Sequence, residues 1–200
     1  HPSTTDPILA TLLTGERVSV LITEVLFRVP VVGQSLRFTR HIEVVYGNGQ
    51  KALDEAAARL KAGGTVMIFP EGVVSPAEGG FNKVHSGVGR LALATGAPVI
   101  PVGVHLDHKR VVPIDSTVKG VKETGRWYWQ GPYTMTVGRP VVYGGDAADR
   151  DYVQFVSRDI MRRIIFLARK SALCMEPEGV PVPPALRTAR IPGMPDLAWE

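Results

Sequence analysis

The chain has 200 residues, 44% of them hydrophobic and 21% charged, which is enough apolar material for one α/β core and excludes a disordered polypeptide. Its 21 glycines and 16 prolines follow no period, which excludes collagen-like structure, and a lone cysteine, Cys174, excludes a disulfide framework or multi-cysteine zinc site. A net charge of +4 with a pI near 9.4 suits an anionic partner such as a lipid headgroup or a CoA phosphate, and an aromatic content of 7% without basic–aromatic alternation argues against nucleic acid.

In chain order, Asp6-Pro7 opens a short helix over 7–14, with the aspartate as N-cap and the proline at the first helical position. Residues 18–22 are β-branched and form a strand that ends at Thr23-Glu24. Residues 51–61 set Ala52, Leu53, Ala56, Ala57 and Leu60 at helical spacing, and Gly63-Gly64 stops that helix. An apolar strand over 65–69 is cut by Pro70, and a second helix over 88–95 is closed by Gly96. Residues 99–105 make a buried strand whose Pro101 demands an edge or a bulge. A polar, basic stretch over 109–126 precedes a late strand over 133–137. The longest helix covers 149–170, with a stripe of Val153, Val156, Ile160, Ile164 and Leu167 widened by Met161, Ile165 and Ala168. From Glu176 onward, six prolines in 25 residues predict an extended tail, dividing the chain into a core at 1–172 and a tail at 173–200. Alternating strands and helices predict an α/β fold, a mixed and largely parallel sheet flanked by helices. No apolar run reaches the roughly 18 residues that span a bilayer, and the polar start of the chain carries no signal peptide.

Two short segments carry chemistry. In His1-Pro2-Ser3-Thr4-Thr5-Asp6 four residues separate an imidazole from a carboxylate. A continuous helix would turn the two apart by about 500°, but Pro2 and the helix start at Asp6-Pro7 put the histidine on a loop. A turn there brings the carboxylate onto one ring nitrogen and frees the other as a base. The plainer reading makes Asp6 a cap and His1 a chain-end residue. In Phe69-Pro70-Glu71-Gly72, Pro70 ends a strand and Gly72 permits a sharp bend, presenting Glu71 at the strand's carboxyl end, where open α/β sheets gather ligands. The plainer reading is a solvated glutamate on a strand exit.

Jointly, HPSTTD, then FPEG, then a helix and Val99-Ile100-Pro101-Val102, resemble the blocks of the glycerolipid acyltransferases, the family of 1-acylglycerol-3-phosphate acyltransferases. A Gly-to-Arg block of that family would be Gly33 through Arg40, so the resemblance covers about residues 1–105. It implies that His1 is the general base for an acceptor hydroxyl attacking an acyl thioester and that Asp6 orients it, with no acyl-enzyme. It implies acceptor binding by Arg40 through its guanidinium and by Glu71 with Gly72. Acyl-CoA or acyl carrier protein would be the donor substrate, with no cofactor or metal, and the acceptor a lysophospholipid at a membrane surface. The family fold is α/β, and the implied location is peripheral, on the cytoplasmic face of the cell membrane. The implied product is phosphatidic acid. Acylation of another lysophospholipid or a glycolipid is the alternative within the class, and a non-catalytic lipid-binding domain the alternative outside it.

The sequence departs from the family in two places. Val73-Val74 replaces the Thr-Arg that usually follows FPEG, leaving Lys83 or Arg90 to supply the cation, and Arg37 competes with Arg40 in the second block. His1 stands first, where family members carry a strand before the box, which predicts a sequence starting partway through a longer protein. An α-ammonium beside the ring would oppose imidazolium formation, so the 200-residue polypeptide alone is expected to be weakly active or inactive. Ser3, Ser75 and Ser86 lie outside any G-x-S-x-G elbow, which disfavours a serine hydrolase. His41, His105 and His108 read as scattered core or surface residues. Trp127-Tyr128-Trp129 reads either as an interfacial anchor or as a packed turn. Arg158, Arg162, Arg163, Arg169 and Lys170 read as a solvated basic face or as a contact with anionic lipid.

Overall fold

The computed structural model describes residues 1–11, 17–118 and 121–175. After α1 (Asp6–Thr11), strand β1 (Val18–Thr23) lies between β2 (Ile42–Val44) and β3 (Thr65–Met67) in a parallel sheet of order β2-β1-β3. Leu21 faces Ile42 and Val18 faces Thr65. Parallel neighbours require crossovers. Helices α2 (Glu24–Phe27) and α3 (Val32–Phe38) carry the chain from β1 to β2, and α4 (Gly49–Lys61) from β2 to β3. All three strands therefore end at the same edge, where the Phe69–Gly72 bend follows β3.

The remaining elements are α5 (Gly87–Thr95), β4 (Val102–Leu106), a 3-10 turn (His108–Arg110), β5 (Val111–Val118), β6 (Val121–Tyr128), β7 (Tyr133–Val137) and α6 (Arg150–Met175). β4 pairs antiparallel with β7, Leu106 facing Tyr133, and β5 with β6, Val112 facing Trp127. The sheet system is thus mixed, with a parallel unit and two antiparallel pairs, flanked by helices.

Several expected boundaries shift for physical reasons. The strand expected over 99–105 begins at Val102, because Pro101 has no N–H to give a ladder; its carbonyl instead accepts from the Gly138 amide at 2.8 Å. The strand expected over 65–69 stops at Met67. The basic stretch at 109–126 folds into β5 and β6, and α6 runs past Lys170 and the boundary at 172. Asp6 is the first residue of α1 rather than its cap, and positions 12–14 of the expected helix lie outside the described residues, as does the tail from 176.

Two apolar clusters hold the layers together. Val88, Ala92 and Leu93 of α5 pack on Val153, Val156, Ile160 and Met161 of α6, and Ile42 packs with Ala52, Ala56 and Leu91 between sheet and helices. The stripe read on α6 is its buried face, with Ile164 at the margin. Two glycines bring backbones together here: a β-carbon at Gly89 would lie 2.4 Å from Ser157 Oγ, and one at Gly103 would lie 2.0 Å from the Ala168 amide nitrogen. Arg162 and Arg163 on the outer face pair with Asp159, at 3.5 and 2.8 Å, which neutralises part of its basic character.

Candidate active site

The bend after β3 is built by residue type. Pro70 stops the strand, and Gly72 adopts a φ of +71°, open to glycine at little cost, while its amide donates to the Phe69 carbonyl at 3.0 Å. Glu71 turns inward and is buried. Its Oε1 accepts from the main-chain nitrogen of His1 and, at 2.7 Å, from the Ser75 hydroxyl; its Oε2 accepts from the Asn82 amide at 2.7 Å. The Ser75 amide returns a bond to the His1 carbonyl at 2.7 Å. A buried carboxylate needs donors of this kind, and here they staple the His1 loop to the bend.

The His1 ring lies on Phe69, centroids 4.1 Å apart. Its Nδ1 is 2.9 Å from the Ser3 carbonyl and 3.4 Å from Asp6 Oδ2. A carbonyl only accepts, so the network assigns the proton to Nδ1 and leaves Nε2 with a lone pair that no hydrogen bond among the described residues engages. The sequence expectation of an orienting carboxylate thus acquires a nearer partner, the Ser3 carbonyl.

Asp6 is fully buried, with Oδ2 accepting from the Ser3 amide at 2.8 Å and Oδ1 from the Tyr133 hydroxyl at 2.9 Å. Burial pushes its carboxyl up to about 6, against the opposing pull of the Ser3 amide, the Tyr133 hydroxyl and the positive charges at His1 and His108. A carboxyl whose folded value lies above its unfolded value of 3.8 binds its proton more tightly in the fold. Stability from this group is therefore full below 3.8, declines as pH rises to about 6, and is constant above it, a cost of about 3 kcal/mol at neutral pH. Asp6→Asn is expected to melt higher than the parent at pH 7 and to lose that part of the pH dependence. Thermal melts from pH 4 to pH 8 read this directly, and parallel profiles for the two proteins would refute it.

Strands outside the motifs complete the loop. The Thr4 amide donates to the Arg126 carbonyl at 2.7 Å, the Arg126 amide to Thr4 Oγ1 at 2.9 Å, and the Tyr128 amide to Thr5 Oγ1 at 3.1 Å. The Arg126 guanidinium bonds the Ser75 carbonyl. Ser75, Asn82, Arg126, Tyr128 and Tyr133 were not readable as site residues, because no local pattern joins them to the box. Ser75 gives its hydroxyl to Glu71 rather than to the imidazole, as a serine nucleophile would need.

His1, Asp6, Glu71 and Gly72 come together as expected. Lys83 is exposed on the loop beside Asn82, next to Glu71. Arg90 stands one turn into α5, bonds Gln50 Oε1 at 2.8 Å, and lines a cavity of about 430 Å³ with Ser86, Arg150 and Gln154. Arg40 is not brought to the bend. It precedes Ile42 by two residues, level with Ser19 near the amino end of the sheet, where Arg59 bonds both its carbonyl and Ser19 Oγ. Strand rise separates that level from Glu71 by roughly 10–15 Å. The carboxyl end of β2 presents Val45 and Tyr46 instead, with the Tyr46 amide donating to Glu24 Oε1 at 3.2 Å.

The acyltransferase family model matches residues 1–105. In three dimensions the chain is similar to the crystal structure of the 1-acyl-sn-glycerophosphate (LPA) acyltransferase PlsC from Thermotoga maritima, with a TM-score of 0.51 and 24% identity over 82% of this chain. It spans 63% of the length of that chain. That likeness bears out the α/β fold with a parallel sheet flanked by helices. No curated protein sequence matches the chain.

Proposed function

We propose, for a chain that belongs to the acyltransferase family, the transfer of a fatty acyl group from an acyl thioester to the free hydroxyl of a lysophospholipid, with 1-acylglycerol-3-phosphate as acceptor and phosphatidic acid as product. The observation that carries this reading is the His1 ring held at Nδ1 by the Ser3 carbonyl and Asp6, with Nε2 free beside the bend. In this reading Nε2 takes the proton of the acceptor hydroxyl as its oxygen attacks the thioester carbonyl. The C–O bond forms, the C–S bond breaks, and the proton passes from Nε2 to the departing thiolate. Asp6 steadies the imidazolium between those events. Glu71, its oxygens already occupied, acts as a staple that sets His1 against Phe69 rather than as a ligand for substrate. Acyl-CoA or acyl carrier protein serves as donor substrate, and the step uses no cofactor because a thioester is already activated.

Of the cations expected for the acceptor phosphate, Lys83 is the one whose neighbour in the loop, Asn82, bonds Glu71. Arg40 at the far level of the sheet and Val73-Val74 after FPEG favour a second reading, an acceptor without a phosphate monoester at that place. We also assign a peripheral contact with the cytoplasmic face of a membrane to the β5–β6 pair, where Val112, Ile114 and, just after β6, Trp129 are exposed near Trp127 and next to Lys109 and Arg110. No helix among the described residues is long and apolar enough to cross a membrane.

The test is purified protein extended ahead of His1, so that an uncharged amide replaces the α-ammonium, with an acyl-CoA or acyl carrier protein donor and each lysolipid in turn, presented in anionic vesicles. Equal amounts of free thiol and phosphatidic acid are expected. Transfer to a different lysolipid selects the second reading, and thiol release matched by free fatty acid, or no release with retained vesicle binding, overturns acyl transfer. Protein that stays in the supernatant when vesicles are pelleted removes the membrane assignment.

A further inference from the structure

Asp6 has a partner that lies outside the residues matched by the family. Tyr133, the first residue of β7, donates its hydroxyl to Asp6 Oδ1 at 2.9 Å from 127 positions along the chain. Its aim is fixed by its surroundings. Backbone pairing sets Tyr133 opposite Leu106, which is fully buried. The Tyr128 hydroxyl bonds the Pro132 carbonyl at 2.6 Å, one residue before it, and the two rings lie 6.1 Å apart. The turn between them passes through Gly131, at a φ of +128°, where a β-carbon would lie 2.4 Å from Tyr128 Oη. Tyr128 also gives its amide to Thr5 within the box.

We propose that Tyr133 is a positioning residue for Asp6: its hydroxyl occupies Oδ1, so that Oδ2 stays turned toward the His1 ring. The kinetic part of this proposal rests on the acyl-transfer reading above. A donor to a buried carboxylate favours the ionised form, so Tyr133 keeps Asp6 charged where burial would protonate it. The other groups facing Asp6 are the His1 ring, the His1 main-chain nitrogen and His108, the last lying next to Arg126. The His108 Nδ1 is buried with no hydrogen-bond partner among the described residues.

The test is a titration of aspartate side-chain carboxyl carbons by NMR, with Asp6→Asn to assign the signal. The midpoint is expected near 6 in the parent protein and about one pH unit higher in Tyr133→Phe. A fluorinated tyrosine at position 133, a more acidic donor of similar shape, is expected to move it the other way and covers a Tyr133→Phe protein that fails to fold. Turnover of Tyr133→Phe is expected to fall about fivefold at pH 6 and recover toward pH 8, with no further loss from Tyr133→Phe in the Asp6→Asn background. A midpoint that does not move, or a loss uniform in pH and undiminished in that background, overturns the proposal. The carboxyl titration needs no substrate, so it reads the Tyr133 bond even where acyl transfer itself is not found.

Discussion

Replacing His1 by alanine is expected to lower kcat for acyl transfer by about a thousandfold while lowering the melting temperature by only a few degrees. The two outcomes separate because two different parts of the residue do two jobs. Its main-chain nitrogen and carbonyl join Glu71, Ser75 Oγ (2.9 Å) and the Ser75 amide, and alanine keeps all of these. What is lost is the ring, with its contact on Phe69, its Nδ1 bond to the Ser3 carbonyl, its approach to Asp6 and the lone pair on Nε2. The acceptor hydroxyl then has no base, whereas the acceptor and donor sites are untouched, so KM is expected to stay within a few-fold. Thiol release measured under saturating donor decides this. An alanine variant that keeps a tenth or more of parental kcat would mean that the imidazole is not the base.

The largest effect on stability is expected at Gly103→Ala. A β-carbon there would meet the Ala168 nitrogen at 2.0 Å, the Leu167 carbonyl carbon at 2.2 Å and Leu167 Cβ at 2.6 Å. Most of these are main-chain atoms and have no rotamer to escape into, so α6 must be pushed from β4. The displacement also stretches the bond from Ser171 Oγ to the Gly103 carbonyl, now 3.0 Å, and disturbs the Thr136–Ser171 hydroxyl pair at 2.7 Å. Overpacking of this kind costs about 3 kcal/mol or more, which corresponds to a fall of about 10 °C in Tm for a chain of this size. Gly49→Ala at the exposed start of α4 provides the contrast, since nothing lies within 4 Å of the added atom. It is expected to melt at or slightly above the parent temperature. Equal melts for the two variants would contradict the close approach of α6 to β4.

What the sequence made legible follows from how local each signal is. β1, α4, α5, β7 and the buried stripe of α6 are written in residues a few positions apart, as alternation or helical spacing, and the bounds of these four elements lie within two residues of those expected. Helices α2 and α3 were not read, because four and seven residues give too little periodicity. β5 and β6 were missed because they pair with each other alone: Val112 and Ile114 stay exposed, and no burial pressure enforces alternation on Lys122, Thr124 and Arg126. At the site, His1 and Asp6 came from the box, and Glu71 and Gly72 from the bend. Arg40 stands two residues before β2, at the end away from the bend, because block order does not say which end of a strand a residue occupies. Tyr133 and Arg126 carry no signal as site residues and Ser75 only that of a hydrolase serine, because their bonds to the box are written only in the closed tertiary structure.

The bond between Arg126 and Thr4 joins residues 122 positions apart. In synthesis on the ribosome, the box therefore leaves the exit tunnel long before β6 and β7 exist to receive it. Closing a loop of that length is slow relative to forming α4 or α5, so the reactive imidazole is set in place late. A nascent chain halted at position 105 would contain each diagnostic motif and yet lack the strands that hold His1 and Asp6 in place, so the closed site is a product of the final strands rather than of the signature.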